Sequence, residues 1–115
     1  MDDLYIWEIN GVRLEVDAED AEFMERYKRA EDLMKISDTE AKTELEAIRE
    51  YCLKYRIFYD NLFGEGTSER IFNGIPDNRR KYDDIFIKLL ERMMKQRIQS
   101  KLRLVGAMKK YVPGR

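Results

Sequence analysis

The chain opens on strand rhythm. Leu4 to Ile9, LYIWEI, alternates imperfectly between apolar and polar residues. Val12 to Val16, VRLEV, alternates cleanly and puts Val12, Leu14 and Val16 on one face. Asn10-Gly11 stands between the two runs. A type I′ turn needs positive φ at both central residues, which Asn-Gly tolerates, so the pattern predicts a β-hairpin over residues 4–16. An isolated hairpin is marginal in water. Its apolar face must pack on helices or pair with another chain, with Tyr5 and Trp7 as large anchors.

Helical spacing takes over from there. Phe23, Tyr27, Ala30 and Met34 recur three or four residues apart and predict a first helix over 18–36. Asp17 is its expected N-cap, with Glu19 and Asp20 near the positive helix end. Ser37 or Asp38 can cap a second helix, expected over 38–63. In it Ala41, Leu45, Ile48, Cys52, Tyr55, Tyr59 and Leu62 are spaced 4-3-4-3-4-3. That is a seam of period 3.5. Tyr51 and Phe58 widen the stripe, which favours the core face of a bundle over a coiled-coil seam. A third long helix is expected over 79–111. Tyr82, Ile85, Phe86, Leu89, Leu90 and Met93 give it a wide apolar face, and Ile98, Leu102, Val105 and Met108 are expected to continue it more narrowly. Gly106 weakens its end and Pro113-Gly114 stops it. The expected fold is α+β and mostly α. It is a single domain over 1–115, with an N-terminal hairpin packed on a bundle of three main helices. Residues 109–115 are expected to form a flexible basic tail.

Between the second and third helices lies NLFGEGTSERIFNG, residues 61–74. Its glycines suggest a phosphate loop, but a Walker loop needs Lys-Ser or Lys-Thr after its last glycine, and Gly66 is followed by Thr67-Ser68. A dinucleotide fingerprint needs a third glycine and a preceding strand; position 69 is Glu, and a helix precedes. The structural reading fits better. Phe63 ends the second helix and Gly64 is its left-handed terminator. Gly66 turns the chain again, and Thr67 caps a short helix over 67–73. Ile71 and Phe72 bury one face of it, and Asn73-Gly74 ends it. Phe63, Gly64, Gly66, Thr67, Ile71, Phe72 and Gly74 are thus expected to form a joint between helices, with no ligand.

Composition and charge narrow the function classes. Apolar residues make up 43% and charged residues 39%, a soluble, helix-favouring mix. No apolar run is long enough to span a membrane, and the acidic start does not resemble a secretory signal. A lone Cys52 points to the cytoplasm as the default. Net charge is −1, but residues 1–50 hold 16 acids and 7 bases, whereas residues 92–115 hold 8 bases and no acid. Such a dipole suits a basic end meeting an acidic partner, or self-association of unlike ends. A helix end complementing its own macrodipole is the plainer account.

The chemistry that is missing matters as much. With no histidine there is no Ser-His or Cys-His nucleophile pair, and with one cysteine there is no ordinary zinc site. Cys52 lies on the seam and reads as a small buried hydrophobe. The Tyr51, Tyr55 and Tyr59 stripe reads as a core edge with wet hydroxyls, and Asp83-Asp84 as acids at a helix start. The chain is read as a non-enzyme without cofactor or metal. The basic end offers one stacking ring, Tyr111, and no nucleic-acid motif, so nucleic acid is not the expected partner. Trp7, Arg97, Lys101, Arg103, Lys109, Lys110 and Tyr111 are the candidate partner-binding residues.

The segments EINGVRLEVDAEDAEFMERY, YCLKYRIFYDNLFGEGTSERIFNG and KKYVPGR together resemble small proteins from the tail modules of phages and prophages of Gram-positive bacteria. In that family an INGxxLxxD hairpin precedes a helix with a central tyrosine. A helix ending in FGEGTxxxIFxG follows, then a further helix and a short basic Tyr-x-Pro-x-Arg ending. The resemblance leaves out the KISDTEAKTE link and the detail of the last helix. Through size and setting the family is similar to siphophage tail assembly chaperones. What this implies is a chaperone that holds the tape measure protein in the bacterial host cytoplasm, with possible recruitment of major tail protein. A structural tail or head–tail component kept in the virion is the alternative. A nucleic-acid-binding regulator working through the basic end is a third.

Overall fold

The computed structural model describes residues 3–35 and 43–111. It is mostly helical with one N-terminal hairpin. The elements are β1 (Ile6–Ile9), β2 (Val12–Glu15), α1 (Ala21–Lys35), α2 (Glu44–Phe63), α3 (Thr67–Ile71) and α4 (Arg79–Lys109).

The strands pair antiparallel with Ile9 opposite Val12 and Ile6 opposite Glu15. Asn10 and Gly11 take φ of 49° and 79°, as the type I′ reading requires. The Val16 N–H donates to the Tyr5 carbonyl at 2.9 Å and extends the ladder by one bond. Trp7, Ile9, Val12, Leu14 and Val16 all point into the core.

Phe23, Tyr27 and Ala30 are the buried positions of α1, and Met34 packs against the core edge. The cap differs from expectation. Asp20, not Asp17, accepts from the Phe23 N–H at 2.9 Å, so the helix starts at Ala21. Asp17 instead closes the preceding turn by accepting from the Glu19 N–H. Thr43 caps α2, its hydroxyl accepting from the Glu46 N–H at 3.1 Å. Ser37, Asp38 and Ala41 lie outside the described residues. The 3.5-period seam is core from Cys52 onward, with Tyr55, Tyr59 and Leu62. Its earlier member Leu45 is 60% exposed, because α2 begins beyond the reach of the core. Phe58, which widened the stripe, is fully buried.

α1 and α2 run antiparallel, with Phe23 beside Phe63 and Tyr27 edge-on to Phe58. α4 crosses α2 where Phe86 meets Tyr55 and Phe58. Trp7 stacks on Tyr59 and Phe63, each at 6.3 Å, and so fastens the hairpin to α2. The open end of the hairpin is held by Gln96 of α4. Its Oε1 accepts from the Ala18 N–H at 2.8 Å, and its Nε2 donates to the carbonyls of Val16 and Leu4. Gln96 is fully buried with three hydrogen bonds, the condition under which an amide tolerates a core.

Asn78 caps α4 by accepting from the Lys81 N–H, and the helix then runs for 31 residues. Tyr82, Ile85, Leu89, Met93 and Gln96 are its buried positions. From Arg97 to Tyr111 no residue is buried. Ile98, Leu102, Val105 and Met108 therefore do not continue the core face; they are exposed, because α4 has left the body. The molecule measures 69 × 28 × 23 Å.

Candidate functional site

The glycine joint is built by the end of α2. The Gly64 N–H donates to the Asp60 carbonyl at 3.0 Å. Gly64 has φ 118° and ψ 153°, a positive-φ conformation outside the left-handed helical region and open essentially to glycine alone. Gly66, which is left-handed, stands at the N-cap of α3 and offers no side chain. Thr67 is therefore not the cap but the first helical residue, and α3 ends at Ile71 with Phe72 as its C-cap. The missing cap comes from Asp60 on α2. One carboxylate oxygen accepts from the Ser68 N–H at 2.8 Å and the other from the Ser68 hydroxyl at 3.0 Å. Thr67, Ser68, Ile71 and Phe72 are buried. Phe72 lies flat on Tyr82 at 3.9 Å, and the Asn10 amide of the hairpin turn donates to the Ile71 carbonyl. Phe63 packs between Trp7 and Phe23, and Gly74 makes a final positive-φ turn.

An open groove of about 930 Å³ lies beside this joint, lined by Val12, Arg56, Arg70, Phe72 and Ile75 among others. Its cations are engaged within the chain. Arg56 donates to the Tyr82 hydroxyl at 3.0 Å, pairs with Asp77 at 3.4 Å and lies over the Phe72 and Tyr82 rings. Arg70 reaches the Thr67 hydroxyl.

A second polar cluster joins α2 to α4. The hydroxyls of Tyr51 and Tyr55 both donate to one Asp83 oxygen, at 2.6 and 2.7 Å. These hydroxyls, expected to be wet, are bound by Asp83 instead. Burial, followed by the bond to Asp83, holds the Tyr55 proton well above the usual tyrosine range. The Arg79 guanidinium lies 5.5 Å from the Tyr51 ring centre and pairs with Glu44. This arrangement clamps two helices. Cys52 is fully buried, and burial pushes its thiol up, as suits a core residue. Among the described residues no three His, Cys, Asp or Glu side chains are grouped to hold a metal ion, and no helix is long and apolar enough to cross a membrane.

The remaining candidates divide. Trp7 is only 3% exposed and stacked inside the chain, so it anchors the hairpin and is not a free partner-binding residue. Arg97, Lys101, Arg103, Lys109, Lys110 and Tyr111 are all exposed on the projecting end of α4 and its terminal turn. Two of them lie near the body: the Arg97 guanidinium is 4.0 Å from the Met24 sulfur, and Arg103 lines a shallow pocket with Leu4 and Tyr5. The others are spread along the arm and do not converge on one point. Residues 92–111 carry seven bases and no acid.

A model describing a family of unknown function, DUF6673, matches residues 10–115. The chain belongs to this family. Searches of the curated proteins and of the solved structures gave no match. The DUF6673 match takes in the glycine joint and the whole of α4, and begins at Asn10 in the hairpin turn. Three features of this DUF6673 chain escaped the sequence reading. Asp60 and Gln96 are polar letters in helical stretches, and nothing local marks their long-range bonds. A second apolar stripe of α4 is exposed from Ile87 to Met108; its members Leu90, Ile98, Val105 and Met108 were expected on the core face, although their phase on the helix differs.

Proposed function

We propose that the protein is a non-enzymatic phage tail assembly chaperone that binds the tape measure protein during tail tube assembly, in the bacterial host cytoplasm. The observation that carries this reading is the arm of α4. Fifteen residues from Arg97 to Tyr111 project without a core of their own, and Ile98, Leu102, Leu104, Val105 and Met108 are exposed among basic side chains. Monomeric proteins rarely leave such a surface uncovered unless it binds something. The resemblance of the glycine joint to tail-module proteins supplies the direction, and a long helical client suits an exposed helix. Recruitment of major tail protein, and self-association through the acidic front of one copy and the basic arm of another, belong to the same reading.

Co-expression with a tape measure protein from the same source tests it. The expected result is a soluble complex that co-purifies. If the tape measure stays insoluble and no complex forms, the reading fails. A structural component kept in the virion is the second reading, because the arm equally suits a permanent contact. Mass spectrometry of purified particles separates the two, since a chaperone is absent from them. The seven bases of residues 92–111 favour a nucleic-acid-binding regulator as the third. A salt-dependent DNA mobility shift abolished by removing the arm would select that one.

A further inference from the structure

α4 carries two apolar stripes, and the body uses only one. The core stripe is Tyr82, Ile85, Leu89 and Met93, closed by Gln96. The other is Ile87, Leu90, Met94, Ile98, Val105 and Met108, all exposed. At 3.6 residues per turn the two stripes lie about 140° apart. With Lys101 included, the exposed positions are spaced 3-4-4-3-4-3, a mean of 3.5. That period keeps a stripe in line with a neighbouring helix wound in a left-handed pair. The line is about 32 Å long at 1.5 Å per residue. It crosses from the part of α4 that packs on the body into the arm without a break.

We propose that this face docks one acidic, amphipathic α-helix of a partner protein. The inference rests on the reading above, that the chain is a protein-binding chaperone, and deepens it by naming the surface and the chemistry of the partner. Charge selects the occupant. Lys101 sits within the apolar line, and Lys95, Arg97 and Lys109 stand at its edges, with no acid after Glu91. A second α4 in antiparallel register about Ile98 would set Lys95 of each copy opposite Lys101 of the other. An acidic helix offers a carboxylate to Lys101 and to the edges while its own apolar line fills the stripe. A single lysine in an apolar line also fixes register, because only one alignment gives it a partner. Leu102 and Leu104, both exposed, flank the line in the arm and widen it for the partner's apolar face.

The test uses the full chain and two synthetic four-heptad peptides with Ile and Leu at the contact positions. One carries Glu at the flanking positions and the other Lys, and binding is read by fluorescence anisotropy. The acidic peptide is expected to bind at least about tenfold tighter than the basic one. Met94→Glu and Val105→Glu, at positions 60% and 49% exposed, are each expected to weaken it by about tenfold or more without moving the melting temperature. Equal binding of the two peptides, or no effect of either substitution, overturns the proposal. A dimer in sedimentation that Met94→Glu dissolves assigns the stripe to a second copy and overturns it too. Anionic phosphatidylglycerol vesicles that bind more tightly than the acidic peptide do the same for a membrane. The two readings fail separately. A tape measure complex that survives Val105→Glu removes this inference and leaves the chaperone. Acidic-peptide binding without a tape measure complex removes the chaperone and leaves the docking face.

Discussion

Gln96 and Tyr59 are both fully buried polar side chains, and the protein treats them in opposite ways. Gln96 satisfies three backbone groups, whereas the Tyr59 hydroxyl has no hydrogen-bond partner. Gln96→Leu leaves the Ala18 N–H and the Val16 and Leu4 carbonyls without this partner, and is expected to cost about 3 kcal/mol at about 1 kcal/mol per bond. Tyr59→Phe removes a stranded hydroxyl and keeps the ring, so stability is expected to hold or rise by up to about 1 kcal/mol. Urea titrations with unchanged slopes measure both. Burial also pushes the phenols of Tyr27 and Tyr82 up to about 12, against an ordinary value of 10.0. The unfolded chain then loses these protons first. Their contribution is complete below pH 10 and is lost as pH rises toward 12. Melting temperature is expected to be level in this respect up to pH 10 and to fall beyond it, in step with tyrosinate absorbance in the unfolded state. The core tyrosines were legible as a helical stripe, because spacing reports burial. Gln96 completes the 82, 85, 89, 93 series in the same rhythm, but a polar letter at that place carries no sign of what it bonds.

At the scale of elements, the sequence disclosed where structure begins and stops better than how each end is secured. The hairpin and the order of helices follow from local chemistry and stand as expected; α2 does stop at Gly64, though outside the left-handed region, and α3 stops at Ile71, ahead of Asn73-Gly74. The caps were less legible. Thr43-Glu-Leu-Glu46 has the spacing of a capping box, but so has Ser37-Asp-Thr-Glu40, and local letters do not choose between them. The α3 cap, Asp60, comes from the preceding helix and has no local signature. Gly64 gives the sharpest element-level test. A Cβ there would meet nothing within 4 Å, so any cost of Gly64→Ala is backbone strain alone. At φ 118° that substitution is expected to destabilise by about 1–3 kcal/mol, read from the denaturation midpoint.

At the scale of the whole molecule the protein is a small body with a long handle. Its radius of gyration is 18.0 Å, against roughly 13 Å for a compact chain of about 100 residues. Ending the chain after Ser100 removes only exposed residues of the helix. Stability is expected to stay within about 0.5 kcal/mol, while small-angle scattering records a shorter particle and acidic-peptide binding is lost. The sequence showed the basic end but not the arm, because Ile98, Leu102, Val105 and Met108 have the letters of a core face. Only the position of the body tells which stripe has a neighbour and which awaits one.

The Gln96 clamp also sets an order of events in time. Its bonds reach back 78, 80 and 92 positions, to Ala18, Val16 and Leu4. A hairpin closes in microseconds from neighbouring residues, but this one stays unlatched until residue 96 has been made and brought back to the start of the chain. During synthesis this hairpin is thus finished well before the helix that locks it. A latch that closes late is absent from an early folding transition state, so weakening it quickens unfolding and leaves the folding rate nearly unchanged.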